Sequence, residues 1–367
     1  MKKITVHLGS RSYAILIGRN LIPSLGRFLK PLRLGSKILI VSNQKIARLF
    51  LKPVSVSLKH AGFQVSTYLL PYGSERDKSA KELFGLWNRM AEVALDRTSS
   101  VLALGGGVIG DTAGFAASTY MRGISLIQVP TTLLAQVDSA IGGKTAIDLP
   151  LAKNMAGTFH QPRIVICDVS VLKTLALKEF QNSFAEVLKY GVIRDSKLFE
   201  LLEKKVDSFF SSLKKKTFWP RQYEFLETVV WRSALVKAKV VERDERETKG
   251  ERMILNYGHT FGHALEAASK FQMPHGEAIG IGMVLAARLA AKRGIFTRQS
   301  ELRQMNLIRR IGLPIRSRFS ASQILPLMKR DKKASAGKLK LVLPLRIGKV
   351  EVMGNISDKE VRKLFNA

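Results

Sequence analysis

Short apolar runs rich in β-branched residues punctuate the first half of the chain, spaced widely enough to leave a helix between them. Lys37–Ser42 (KILIVS), Gln64–Leu70 (QVSTYLL), Val101–Leu104 (VLAL), Ile124–Val129 (ISLIQV) and Arg163–Cys167 (RIVIC) each have the length and composition of a strand. Between them, Lys78–Ala94 places Leu83, Leu86, Trp87, Met90 and Ala94 at the spacing of one helical face. Strands alternating with helix-length segments predict a parallel α/β sheet. From about Leu172 the period changes. Lys178–Tyr190, Tyr223–Glu247, Asn256–Lys270, Glu277–Arg293 and Gln299–Ile311 read as helices, and only Leu339–Leu343 and Lys349–Met353 turn extended again. The expected architecture is an α/β domain over residues 1–171 and a helical domain over residues 172–367. A cleft between two such domains is a common place for a ligand.

Composition narrows the class. With 46% hydrophobic residues the chain can bury a sizeable core. Its one cysteine, Cys167, rules out an internal disulfide and fits a reducing compartment. The basic start Met1-Lys2-Lys3 runs into an alternating, strand-like Ile4–Gly9 rather than the apolar core of a signal segment. No stretch is long and apolar enough to span a bilayer. The cytoplasm is therefore the expected location, with no membrane partner. A formal charge of +31, from 60 basic and 29 acidic residues, predicts attraction to anions of many kinds. The basic residues are dispersed, and no zinc-finger spacing, aromatic RNA-binding motif or basic tail accompanies them. A solvated basic surface is the better reading, and no specific nucleic-acid partner is expected.

The motifs carry more. Gly105-Gly106-Gly107-Val108-Ile109-Gly110 follows one strand and precedes a helical run at Asp111–Ser118. Backbone N–H groups in such a turn can approach a phosphate closely, and the helix start adds favourable partial charge. The pattern alone is weak, since a tight strand-to-helix turn also explains it, and no acidic residue follows on the next strand for a ribose hydroxyl. A second hydroxyl-bearing turn, Thr131-Thr132, after that strand tips the balance toward phosphate or dinucleotide binding.

Three of the six histidines fall in one short window, at His259, His263 and His275. His259 and His263 are four apart and share a helical face; His275 opens the next helix. Buried core histidines are the bland alternative, but this clustering favours a divalent metal held by imidazole with one position open. An acidic ligand could come from Glu186, Glu266 or Glu277, and spacing does not choose among them. Lys144, Lys153, Asn154, Lys189 and Arg252 add cations and an amide suited to phosphate and carboxylate groups. Taken alone, the Glu186–Lys189 pair is no more than a helical salt bridge.

Read together, these segments resemble the 3-dehydroquinate synthases. GGGVIGDTAGFAAS, YMRGISLIQVPTTLLAQVDSAIGGKT, PLAKNMAGTFHQP, FAEVLKYG, KAKVV with DERET, and LNYGHTFGHALEAAS with HGEAIGIGM occur in the family's order across almost the whole chain. The resemblance implies a Rossmann-like NAD domain, a helical metal domain and a homodimer. It places the metal, zinc or cobalt, on Glu186, His259 and His275, which moves His263 to the substrate. It places Asp138, Lys144, Asn154, Lys189, Lys237, Arg252 and Asn256 at the substrate, Arg122 at a neighbouring subunit's phosphate pocket, and Lys332 or Lys333 near the phosphate. Its cofactor positions fall on Glu75, Lys78, Gly105, Gly106, Gly107, Asp111, Thr131, Thr132, Lys144 and Lys153. Asn43 departs from the acidic residue usual after the Lys37–Ser42 strand, and Val171 from a bulkier one.

The reaction implied converts a phosphorylated sugar acid, 3-deoxy-arabino-heptulosonate 7-phosphate, to 3-dehydroquinate and phosphate, a step of the shikimate pathway. A hydroxyl is oxidised transiently by NAD, phosphate is eliminated, the hydride returns, and an aldol addition closes the ring. The rival readings are a cyclase of the same superfamily acting on a sugar phosphate without a carboxylate, and a metal-dependent alcohol dehydrogenase. Lys237 and Arg252 favour the sugar acid, with Lys144, Asn154, Asn256 and His263 left for its phosphate.

Overall fold

The computed structural model describes residues 1–150, 152–214, 219–330 and 339–365. Its contacts gather the chain into two units, one of Met1–Leu175 with Tyr223–Arg246, the other of Ala176–Gln222 with Glu247–Ala367.

The first unit is built on strands β1 (Lys2–Val6), β2 (Tyr13–Gly18), β3 (Lys37–Asn43), β4 (Gln64–Leu70), β5 (Ser100–Gly105), β6 (Ser125–Pro130), β7 (Lys144–Leu149), β8 (Ala152–Phe159) and β9 (Ile164–Asp168). Seven of them form one sheet in the order β1-β2-β9-β6-β5-β3-β4. All neighbours are parallel except β1 with β2. Every residue of β5 is buried, as expected of a central parallel strand covered on both faces. Helices α1 (Leu25–Leu29), α2 (Gln44–His60), α3 (Ala80–Glu92) and α4 (Gly107–Thr119) lie between strands. The chain steps from β3 outward to β4, then crosses back to β5 on β3's other side. That reversal opens a crevice beyond the carboxyl ends of β3 and β5, where such sheets bind ligands.

Local chemistry sets the element ends. Ser79 caps α3 through the Glu82 N–H, which starts this helix after Lys78. Asn43 Oδ1 accepts from Ile46 N at 2.9 Å and caps α2, so the residue that departs from the family's acid is committed to its own helix. Leu39, Val41, Val101, Ala103 and Leu126 of the sheet pack against Leu83, Leu86, Met90, Ile109 and Ala113 of α3 and α4. Strands β7 and β8 form a separate antiparallel hairpin that the sequence patterning did not reveal.

The second unit contains α5 (Leu177–Ile193), α6 (Ser196–Lys214), α8 (His259–Ala268), α9 (His275–Lys292), α10 (Arg298–Ile311), α11 (Ala321–Arg330) and α12 (Asp358–Phe365), with the antiparallel pair β10 (Leu339–Arg346) and β11 (Lys349–Ile356). Helix α7 (Trp219–Arg243) interrupts this series in sequence, and its residues from Tyr223 onward pack with the first unit. From Ser183 to Ile193, α5 is buried on every side, which makes it the unit's central helix. Phe180, Phe184, Phe209 and Phe210 wedge α5 against α6, with ring centroids 5.1–5.6 Å apart. Among the described residues, no helix is long and apolar enough to cross a membrane.

Candidate functional site

In the second unit, α5, α8 and α9 bring one carboxylate and two imidazoles together. Glu186 Oε1 lies 3.3 Å from His259 Nε2 and 3.4 Å from His275 Nε2. One ligand atom from each residue falls within 4.8 Å of the other two. Glycine makes this possible. Gly258, in left-handed backbone (φ 80°), leads into α8, and a Cβ on Gly282 would lie 2.0 Å from the Gly258 carbonyl oxygen, so α8 and α9 touch backbone to backbone. A Cβ on Gly276 would meet the Asn182 backbone oxygen at 2.2 Å, so only glycine lets the start of α9 abut α5.

The cluster fits a divalent metal. Glu186 is 1% exposed, yet neither of its carboxylate oxygens receives an aligned hydrogen bond. A buried carboxylate without aligned hydrogen bonds is costly, and a metal cation among its lone pairs offsets that cost. Lys189 Nζ makes an ion pair with Oε2 from the next turn of α5. The His259 tautomer suits ligation as well. His259 Nδ1 faces the Tyr257 carbonyl at 3.2 Å, which can only accept, so Nδ1 carries the proton and Nε2 presents a lone pair. Burial opposes ionisation of Glu186, but Lys189 and the histidines hold its carboxyl well below the usual carboxylate range. Burial first, then Lys189, pushes His259 down to about 4, favouring the neutral imidazole a metal needs.

Of the acidic ligands left open by sequence spacing, Glu186 joins this group; Glu266 and Glu277 do not. His263 stands beside it, its ring centroid 5.3 Å from that of His259 and 6.4 Å from that of His275, and is also outside the group. Arg252 is buried, on the short turn Glu251–Asn256 that ends at Asn256, with Nε 3.5 Å from Glu247 Oε1.

In the first unit, a cavity of about 470 Å³ is lined by Asp111, Asp138, Ser139, Lys144, Asn154 and Lys237 among others. Lys237, from α7, is buried and donates to both Oδ1 and the backbone carbonyl of Asp138 at 2.7 Å each. Lys78 Nζ donates to Asp111 Oδ2 at 2.8 Å and to Asn154 Oδ1, and lies 3.7 Å from Glu75 Oε1; Lys153 Nζ is 3.8 Å from that same oxygen. Asn154 sits in left-handed backbone (φ 56°), with its N–H on Asp148 Oδ1 at 2.8 Å. Burial drives the Asp111 carboxyl up to about 6, and Lys78 works against it. Lys78 is raised in turn: burial alone would lower it, and Asp111 outweighs that.

The glycine turn lies at the mouth of the β3/β5 crevice. Gly106 precedes α4 and no side chain caps that helix, which leaves its first N–H groups available to an anion. Thr131 Oγ1 and Ser139 Oγ are buried without hydrogen-bond partners, and a Cβ on Gly107 would touch Ser139 Oγ at 3.0 Å. Thr132 Oγ1 accepts from Ala135 N. These orphaned hydroxyls and free amides fit a phosphate-bearing cofactor. Val171 is buried in the short turn that follows β9. Arg122 lies apart, on an exposed turn with φ 70°. Lys332 and Lys333 fall outside the described residues. Two contributors carry no motif signal in the sequence, Ser139 and the β7–β8 hairpin that bears Lys144 and Asn154.

Residues 68–182 match the family model for the 3-dehydroquinate synthase N-terminal part, and residues 183–334 that for its C-terminal part. The chain belongs to the 3-dehydroquinate synthase family. The 3-dehydroquinate synthase of Rippkaea orientalis is 43% identical over 366 residues, covering 99% of this chain and 97% of the relative. That of Nostoc punctiforme is 44% identical over 367 residues, covering 99% and 98%. Among solved structures, 2-epi-5-epi-valiolone synthase from Streptomyces hygroscopicus subsp. jinggangensis, with NAD+ and Zn2+ bound, superposes with a TM-score of 0.85 at 26% identity, covering 100% of this chain and 97% of that one. The α/β and helical units are therefore those of the 3-dehydroquinate synthase and sugar phosphate cyclase fold.

Proposed function

We propose that this 3-dehydroquinate synthase family member is a carbon–oxygen lyase that converts 3-deoxy-arabino-heptulosonate 7-phosphate to 3-dehydroquinate and phosphate, using NAD and one divalent metal. The observation that carries the reading is the buried Glu186–His259–His275 cluster, whose carboxylate is otherwise without hydrogen-bond partners, in a chain matched to this family along almost its full length. When bound, NAD supplies a reversible hydride acceptor, and a divalent metal supplies Lewis-acid polarisation of a substrate hydroxyl.

The chain's own groups do the rest. Glu186, His259 and His275 hold the metal. Lys144 and Asn154, at the rim of the first unit's cavity, take the phosphate of the substrate. Lys237 and Arg252 take its carboxylate, each exchanging a partner it now has, Asp138 or Glu247. His263 and Asn256 face substrate rather than metal. Thr131, the Gly105–Gly107 turn, Lys78 and Asp111 serve the cofactor. The enzyme acts as a homodimer, with Arg122 reaching the neighbouring subunit. The lone buried thiol of Cys167 supports a cytoplasmic location.

Phosphate release from purified protein given the heptulosonate phosphate tests this reading. Release that needs both catalytic NAD and metal, with no net NADH, is the expected result. Net NADH would indicate a dehydrogenase instead. Release from sedoheptulose 7-phosphate alone would move the assignment to a cyclase that needs no carboxylate.

A further inference from the structure

We infer that Glu266 is the outer carboxylate that fixes His275 as a metal ligand, a positioning residue outside the ligand set itself. The inference rests on the metal reading of the Glu186 cluster. Glu266 Oε1 lies 3.3 Å from His275 Nδ1, while His275 Nε2 points at Glu186. A carboxylate on Nδ1 keeps the proton there and leaves the Nε2 lone pair for the metal.

The fold builds this contact deliberately. Glu266 follows His259 by seven residues and His263 by three, so all three project from one face of α8. The chain then reverses through Lys270 and Phe271, both in left-handed backbone at φ 53° and 59°. Phe271 N and Ser269 Oγ each donate to the Glu266 carbonyl at 2.7 Å, and Met273 N donates to Ser269 Oγ at 3.0 Å. This tight loop returns His275 to the end of α8, within reach of the Glu266 side chain, which is 16% exposed. The two imidazoles are thus held unequally. His259 rests on a neutral backbone carbonyl, whereas His275, the more exposed of the two, rests on a charged carboxylate that makes its ring a stronger donor.

Chelator competition on the metal-loaded protein, with zinc and with cobalt(II), tests the role in Glu266→Gln and Glu266→Ala, with His259→Ala alongside. Glu266→Gln keeps the shape and loses the charge. It is expected to weaken metal binding about 10- to 100-fold and to shift the visible cobalt(II) absorption, while the metal-free protein melts as the parent does. Metal affinity within about twofold of the parent in both Glu266 variants would overturn the inference. Weakened binding accompanied by lower melting of the metal-free protein would assign Glu266 to the loop and overturn it too. Unchanged affinity in His259→Ala would remove the metal site itself, a failure distinct from that of Glu266.

Discussion

The two units carry polar clusters of opposite kinds. In the second, Glu186 is fully enclosed between Lys189 and the two imidazoles without an aligned hydrogen bond, and helices α5, α8 and α9 are held against it by backbone contacts through glycine. In the first, the two carboxylates that line the cavity are already paired, Asp138 with Lys237 and Asp111 with Lys78, and they are 27% and 22% exposed. An enclosed carboxylate held by rigid helices, with two imidazoles turned to one of its oxygens, is a fixed seat for a cation. A set of satisfied ion pairs near water can trade partners as a charged substrate arrives.

The contrast can be broken most forcefully at the seat. Glu186→Gln should abolish stoichiometric metal binding and lower turnover by more than about 100-fold, the upper end of what an outer-sphere partner costs; metal analysis and phosphate release read both. Lys237→Ala should cut kcat/KM by roughly 10- to 150-fold, the range of about 1.5–3 kcal/mol for a hydrogen bond to a charged group, mainly through KM. Its metal content should stay at the parental level. Metal loss in that variant would erase the distinction between the two clusters.

Packing gives a finer test. Gly276→Ala drives a Cβ into the Asn182 backbone at 2.2–2.6 Å, which should cost about 1–3 kcal/mol of stability and weaken metal binding as the start of α9 shifts. Thermal unfolding and metal titration measure the two effects. The smallest expected effect is a titration in the first unit. Asp111 should ionise near pH 6, observed by carboxyl NMR, and Lys78→Met should move that midpoint higher, because Lys78 favours the charged form. Its folded value lies above the unfolded one. The stability it contributes is therefore full below the unfolded carboxylate range and is lost as pH rises through about 6.

Much of this was legible in sequence. Strand-length runs separated by helices led to the parallel sheet, and His259 with His263 at four-residue spacing marked a polar helix face. What spacing could not settle was tertiary. The choice of His275 and Glu186 over His263 and Glu266 depends on Gly276 bringing α9 against α5, a contact between segments about ninety residues apart. The family resemblance supplied that choice before geometry could. The helical period of α7 assigned it to the domain over residues 172–367, whereas its residues from Tyr223 onward group with the sheet unit. The β7–β8 hairpin escaped notice because Lys144–Leu149 reads as a motif rather than a strand, and its partner strand holds Asn154 in left-handed backbone.

Calorimetric titration of zinc into chelator-stripped protein addresses the central claim most directly. One metal per chain, bound tightly by the parent and by Lys237→Ala but not by Glu186→Gln, is the result this account predicts. Equal binding by Glu186→Gln would contradict it, because the enclosed carboxylate would then have no part in holding the ion.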